Sequence, residues 1–534
     1  MPALRFVLRI APARALLWLA AFAVASLVLL PVAYLVMRAA LGPVEAWSTI
    51  ARPTTVAAIG RTVLLAAGSV ACSLAVGLPL AWLTIATDLP GRRAWRVLLA
   101  LPLVVPSYVG AYLYAAALGP RGLLHRAVAE LADVERLPSI YGLPGALLAI
   151  TAVSYPFVML TAQSALQRLD PALGEAARSL GDGPADTLRR VVLPQVRPAV
   201  ASGSLLVALY AMRDFGAVSI MRYDTLTRGV YTQYRSAFDR TGAAVWSLLL
   251  LALVVAVLAV ERRAARGYGS GAQSARRVAP PARVRLGRWC WPALALCAAV
   301  AGIALVLPAG MLGYWLVRGV RAGQALDAGA LGLAAGHSVA AAAAASAVTV
   351  LAAWPVAWLA HRVPSRAARA VERVAHVGFA LPGVVVALGL VFFSIRFLPG
   401  VYQTLPLLVI AYVVLFLPEA VGALGASLER IPPRLLECAR TLGRGPFGVF
   451  RTVTLPLVAP GAGVAAALVF LTAMKELPAT LILSPTGFNT LAVAVWSAVG
   501  EAYFARAAAP ALLLVVLAAA STAILTARRA RHGL

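Results

Sequence analysis

The residues of this chain with the widest chemical reach are two adjacent charge pairs, Arg213-Asp214 and Lys475-Glu476, each set in a long apolar stretch. An ionisable side chain at the centre of a bilayer costs about 2.5–3.5 kcal/mol on insertion scales, so it faces protein or water. Two roles follow: lining a path for a solute, or fixing helix packing through ion pairs and backbone carbonyls. The sequence leaves both open. Neighbours on a helix point to different surfaces, so the cation and the acid of each pair are expected to serve different sites. On the path reading, Asp214 and Glu476 face one another across a central pathway, with Arg213 and Lys475 beside them. No catalytic constellation accompanies these charges. A phosphate-binding loop needs a glycine run ahead of its lysine, and Lys475, the only lysine, has none. The five histidines are scattered, and Cys72, Cys290, Cys297 and Cys438 show no metal-ligand spacing. No catalytic residue, metal site or cofactor is expected in this chain.

A second pattern occurs twice. Glu175-Ala176-Ala177-Arg178-Ser179-Leu180-Gly181 returns 262 residues later as Glu437-Cys438-Ala439-Arg440-Thr441-Leu442-Gly443. The same offset carries Pro156 to Pro418, Pro171 to Pro433, Leu193-Pro194 to Leu455-Pro456, and Met212-Arg213-Asp214 to Met474-Lys475-Glu476. Self-similarity of this kind means a duplicated unit. Within each copy, a helix after Pro171 carries Glu175, Ala176 and Ala177 and stops at Gly181. A second short helix is expected from Ala185 to about Val192, with Asp186 near its start and Arg189-Arg190 near its end, the favoured dipole arrangement. Leu193-Pro194 is expected to end that helix and restart the chain. Each copy therefore predicts a compact helix-turn-helix foot.

The elements that hold these motifs are membrane spans. Of 534 residues, 61% are hydrophobic and 13% charged, about half the charged share of a soluble protein. Twelve apolar runs fall near 15–38, 56–86, 95–118, 141–166, 196–221 and 243–261, then 289–317, 331–360, 374–397, 403–428, 456–484 and 506–527. Each is long enough to cross a bilayer, and backbone polar groups in lipid require helices. The fold class is thus an all-α polytopic membrane protein of about 12 transmembrane helices in two parallel six-helix repeats. Most of the 47 Lys and Arg residues fall on the foot-side segments, which places the feet and both termini in the cytoplasm. The net charge of +27 is explained by that asymmetry and by an arginine-rich composition, and no nucleic-acid partner is expected. The first half covers 1–262 and the second 289–534. Residues 263–288, rich in Gly, Ser, Pro and Arg, read as a cytoplasmic linker. The outward segments 119–140 and 222–242 carry mixed charge, as a docking surface for a soluble protein would.

The spacing E-A-A, three residues, G, nine residues, a β-branched residue, one residue, L-P resembles the signature loop of binding-protein-dependent ABC importer permeases of type I. Both copies fit, through Glu175, Ala176, Ala177, Gly181, Val191, Leu193 and Pro194, and through Glu437, Cys438, Ala439, Gly443, Val453, Leu455 and Pro456. Cys438 is the one departure. The resemblance implies that each foot couples to an ABC ATPase, present in two copies that hold ATP and Mg. It also implies a periplasmic or extracellular substrate-binding protein and a bacterial inner-membrane location. Met474-Lys475-Glu476-Leu477-Pro478-Ala479-Thr480 with Gly487-Phe488-Asn489-Thr490, and Arg213-Asp214-Phe215-Gly216-Ala217-Val218, resemble the ferric-iron branch, which also has fused halves. Thiamine, phosphonate or another small solute is the alternative cargo. A secondary transporter driven by an ion gradient is the alternative class, in which paired feet have no role.

Overall fold

The computed structural model describes residues 2–43, 45–120, 122–123, 130, 139–181, 183–236, 239–266, 284–323 and 327–531. Among them the chain is helical, with one isolated backbone bridge, Thr87 to Val284, and no sheet. In the first half α1 is Pro2–Ala40, α2 Pro53–Ala86, α3 Arg92–Leu98, α4 Ser107–Leu118 and α5 Leu143–Gln167. The foot helix α6 is Pro171–Ser179, followed by α7 Leu193–Arg213, α8 Gly216–Ile220, α9 Leu226–Arg235 and α10 Arg240–Arg266. The second half repeats this order. α11 is Cys290–Ala301, α12 Leu307–Arg321, α13 Ala328–Arg362, α14 Arg366–Val377, α15 Gly383–Phe397 and α16 Leu405–Glu429. The second foot helix, α17, is Pro433–Thr441, then come α18 Leu455–Lys475, α19 Pro478–Leu483, α20 Leu491–Gly500 and α21 Phe504–Arg531.

Among the described residues ten helical segments are long and apolar enough to cross a membrane, and two bent pairs bring the total to 12 when each pair is taken as one span. The spans expected at 95–118 and 374–397 are not straight: α3 and α4 meet at 96°, α14 and α15 at 108°. The cause is local. Proline disfavours helical backbone in the residue before it, and Val105 before Pro106 and Leu381 before Pro382 are both extended. Pro106 and Pro382 are themselves extended, and helix resumes at Ser107 and Gly383. The expected fifth and eleventh spans also stop early, at Arg213 and Lys475, with α8 and α19 as separate short helices.

Each half is built around a trio, α2, α5 and α7 in the first and α13, α16 and α18 in the second. Small residues let the second trio approach closely, as helices in lipid do. Ala341, Ala342 and Ala345 are buried there, and Ser346 Oγ donates to the Ala466 carbonyl at 2.7 Å. The leading span of each half crosses to the other. Tyr34 of α1 meets Phe393 and Phe397 of α15 at ring distances of 6.1 and 6.2 Å, and α12 packs on α4.

The stretch read as a linker divides three ways. Residues 263–266 continue α10, and 267–283 lie outside the described residues. Val284 N donates to Ala86 O at 2.8 Å and Leu286 N to Asp88 Oδ1 at 2.9 Å, so the far end is fastened to the first half. Most of the outward segment 119–140 also lies outside the described residues.

Candidate functional site

The two feet share one geometry. Glu175 and Ala176 are exposed while Ala177 is buried, and Glu437 and Cys438 are exposed while Ala439 is buried. Three consecutive helix positions thus turn one small residue inward and present the other two outward. Gly181 and Gly443 follow with φ of +93° and +82°, the left-handed cap that ends a helix most cheaply at glycine. In the second foot the Gly443 N–H donates to Arg440 O at 2.9 Å and the Arg444 N–H to Ala439 O at 3.3 Å, the bond pair of that cap. A Cβ built at either glycine meets nothing within 4 Å. The requirement for glycine inside this chain is therefore conformational, not steric.

The foot departs from expectation at its second helix. Pro184–Thr187 and Pro446–Val449 pass through π turns, Leu188–Val192 and Phe450–Thr454, directly into α7 and α18. Leu193-Pro194 and Leu455-Pro456 begin those long helices instead of ending the short ones. A π turn skips one step of the hydrogen-bond ladder, which makes room for a residue with no amide proton. Leu180 is 87% exposed, Leu442 80% and Phe447 72%. Leu193 and Leu455 are exposed too.

At the other end of α7 and α18 the charge pairs meet the two bent spans. In an unbroken helix the Leu103 carbonyl would accept from Ser107 N, and the Phe379 carbonyl from Gly383 N. The bends separate those groups, and a freed carbonyl in a membrane interior must find another donor. Lys475 Nζ donates to Leu103 O at 3.0 Å, and Arg213 Nη1 to Phe379 O at 2.9 Å. Each cation crosses from its own half to the break in the other. The guanidinium of Arg213 also lies 5.8 Å from the Phe379 ring centre.

The acids stay at home. Asp214 is buried, takes the Ser107 hydroxyl, and accepts the Ala217 and Val218 N–H groups at 2.8 and 3.3 Å. Glu476 Oε1 accepts Ala479 N at 3.2 Å and lies against Gly383, where a Cβ would collide with it. Both carboxylates sit at the first residue of a resumed helix, where the dipole favours negative charge. The shorter acid meets a hydroxyl side chain, and the longer acid meets a glycine. Each break is thus served by an acid of its own half and a cation of the other. The cations do the reaching across the seam, while Asp214 and Glu476 stay within electrostatic reach of each other.

One further acid escaped the reading of the sequence. Glu419, on α16, accepts Thr472 Oγ1 of α18 at 3.1 Å and interacts electrostatically with Arg213 and Lys475. Its counterpart in the first half is Phe157, whose ring lies 6.0 Å from that of Tyr210, the counterpart of Thr472. A lone acid within the apolar run 403–428 was the available signal. Among the described residues no group of three or more His, Cys, Asp or Glu side chains is placed to hold a metal ion.

Residues 73–267 and 350–531 each match the family described as binding-protein-dependent transport system inner membrane component. An Fe(3+)-transport system permease protein of Haemophilus influenzae is 32% identical over 91% of this chain and 93% of its own length. A molybdenum transport system permease protein of Escherichia coli is 30% identical over 36% of this chain and 86% of its own. Among solved structures, a bacterial alginate ABC transporter in complex with a periplasmic protein has a chain that matches at a TM-score of 0.37 and 16% identity. That match covers 45% of this chain and 89% of the other.

Proposed function

The chain belongs to the binding-protein-dependent transport system inner membrane components, the permeases of ABC importers, and from that premise we propose that both feet dock on separate ABC ATPase subunits, one under each. The exposed foot surface carries this reading. Leu180 on the first foot and Leu442 and Phe447 on the second are exposed, and bulky apolar side chains left out in this way mark a surface for a partner. The open space around Gly181 and Gly443 lets that partner approach the backbone. ATP and Mg are held by the ATPase. The asymmetry of basic residues puts the feet and both termini in the cytoplasm, and a substrate-binding protein delivers the cargo to the opposite face.

The cycle we propose is a two-state movement of rigid halves. ATP draws the ATPases together, the feet move with them, and the seam held by Arg213 and Lys475 rearranges so that the path opens to the loaded binding protein. After hydrolysis the path opens inward. Ferric iron is the cargo this reading supports best, because a relative that matches along nearly its whole length, at 32% identity, carries that substrate in its name. Elemental analysis of the ligand retained by the cognate binding protein tests the cargo. Ferric iron is expected, whereas thiamine or a phosphonate would replace the iron assignment.

A further inference from the structure

We infer that Glu419, backed by Thr472, is a contact point for a cationic cargo inside the permease, at the seam between its halves. The inference rests on the proposed import of ferric iron and adds a residue to it. Its ground is a break in symmetry. At positions where the first half places Phe157 against Tyr210, the second half places Glu419 in a hydrogen bond with Thr472. At 213–214 and 475–476 the duplicated unit keeps cation for cation and acid for acid, whereas at 157 and 419 it puts an acid in the second copy alone.

The direction Glu419 faces follows from its partners. Its chain neighbours Leu417, Pro418 and Ala420 are buried, while Glu419 itself is half-buried. It lies within electrostatic reach of Arg213, which belongs to the opposite half, so it faces the seam and not lipid. Its hydrogen-bonding is incomplete: a carboxylate has about four acceptor sites, and among the described residues Thr472 is its hydrogen-bonding partner. Arg213 and Lys475 spend a donor each on the carbonyls of Phe379 and Leu103 and stay beyond ion-pair distance of it. Two cations therefore balance the carboxylate without occupying it. A hard cation, which prefers carboxylate oxygen, can take the open sites, and its charge would weaken the pull of Glu419 on Arg213 and Lys475. Arrival of the cargo is thereby felt at both cross-half bonds.

The test is the ratio of ATP hydrolysed to iron moved, measured in proteoliposomes with the complete importer and loaded binding protein. Glu419→Gln and Glu419→Phe, the latter copying the first half, should raise that ratio about tenfold, and Glu419→Asp should restore most of the loss. A residue that only braced the seam would raise ATP hydrolysis in the absence of binding protein, as expected of Arg213→Ala; in Glu419→Gln that unstimulated rate should match the wild type, and a raised one overturns the inference. An unchanged ratio in Glu419→Gln overturns the inference. If that variant fails to assemble, Thr472→Val reports on the same contact, with a smaller rise expected and no rise contradicting the inference. A wild-type complex that moves only an anionic or neutral solute overturns the iron assignment, and this inference with it, before any variant is made.

Discussion

Arg213 of the first half donates to the backbone carbonyl of Phe379 in the second at 2.9 Å, across the seam of the molecule. Lys475 does the same in return at Leu103. Because Arg213 is followed by an acid that lies against the break in its own half, one dipeptide touches both breaks at once. The same holds for Lys475-Glu476. A shift of one half relative to the other must therefore disturb both bent spans together.

Removing either cross-half bond should loosen the seam. A hydrogen bond from a charged donor contributes about 1.5–3 kcal/mol. Arg213→Ala and Lys475→Ala are expected to lower the thermal midpoint of the purified complex and to raise ATP hydrolysis in the absence of binding protein. Arg213→Lys and Lys475→Arg should recover part of both effects, since either cation can serve a single carbonyl. Midpoints and unstimulated rates that match the wild type would show that the seam is held elsewhere.

The acids make a sharper prediction. Gly383→Ser should be harmful, because Glu476 occupies the space beside Gly383. Adding Glu476→Asp should rescue it by recreating the serine-aspartate arrangement of Ser107 and Asp214. Membrane levels and transport of the single and double variants check this. A double variant no better than Gly383→Ser would mean that the two halves solve the problem differently.

At the feet, Gly181→Ala and Gly443→Ala place a Cβ on left-handed backbone at a cost of about 1–2 kcal/mol each. Asparagine tolerates that conformation better, so Gly443→Asn should couple more efficiently than Gly443→Ala. The measurement is ATPase retained on the purified permease. Equal retention by both variants would count against the conformational reading.

Cys438 offers a direct footprint. It is exposed on the outer face of α17. With Cys72, the other exposed cysteine, replaced by serine, maleimide should label Cys438 in the isolated permease and label it far more slowly once the ATPase is bound. Unchanged labelling would place the ATPase away from the second foot.

The feet and the charge pairs were legible because both copies keep a constant offset of 262 residues from Pro156-Pro418 through Asp214-Glu476. The breaks were not. Ser107 and Gly383 stand 276 residues apart, so a search at the constant offset passes over their equivalence. Pro106 and Pro382 announce a disturbed helix, but neither the angle nor the partner that takes the freed carbonyl is encoded nearby. Lys475 and Leu103 are 372 positions apart. The π turns were hidden for a similar reason: Pro194 and Pro456 signal a stop locally, and a wider turn just before them allows the helix to continue. The crossing of α1 and α12 onto the opposite halves also left no mark in hydropathy, since spans facing lipid and spans facing protein are equally apolar.

The most direct test of the whole account is uptake of labelled ferric iron into proteoliposomes, with each component left out in turn. Uptake is expected only when the permease, the ATPase, ATP and the iron-loaded binding protein are all present, and it should persist after ion gradients are collapsed. Uptake by the permease alone, driven by an ion gradient and indifferent to ATP, would contradict it.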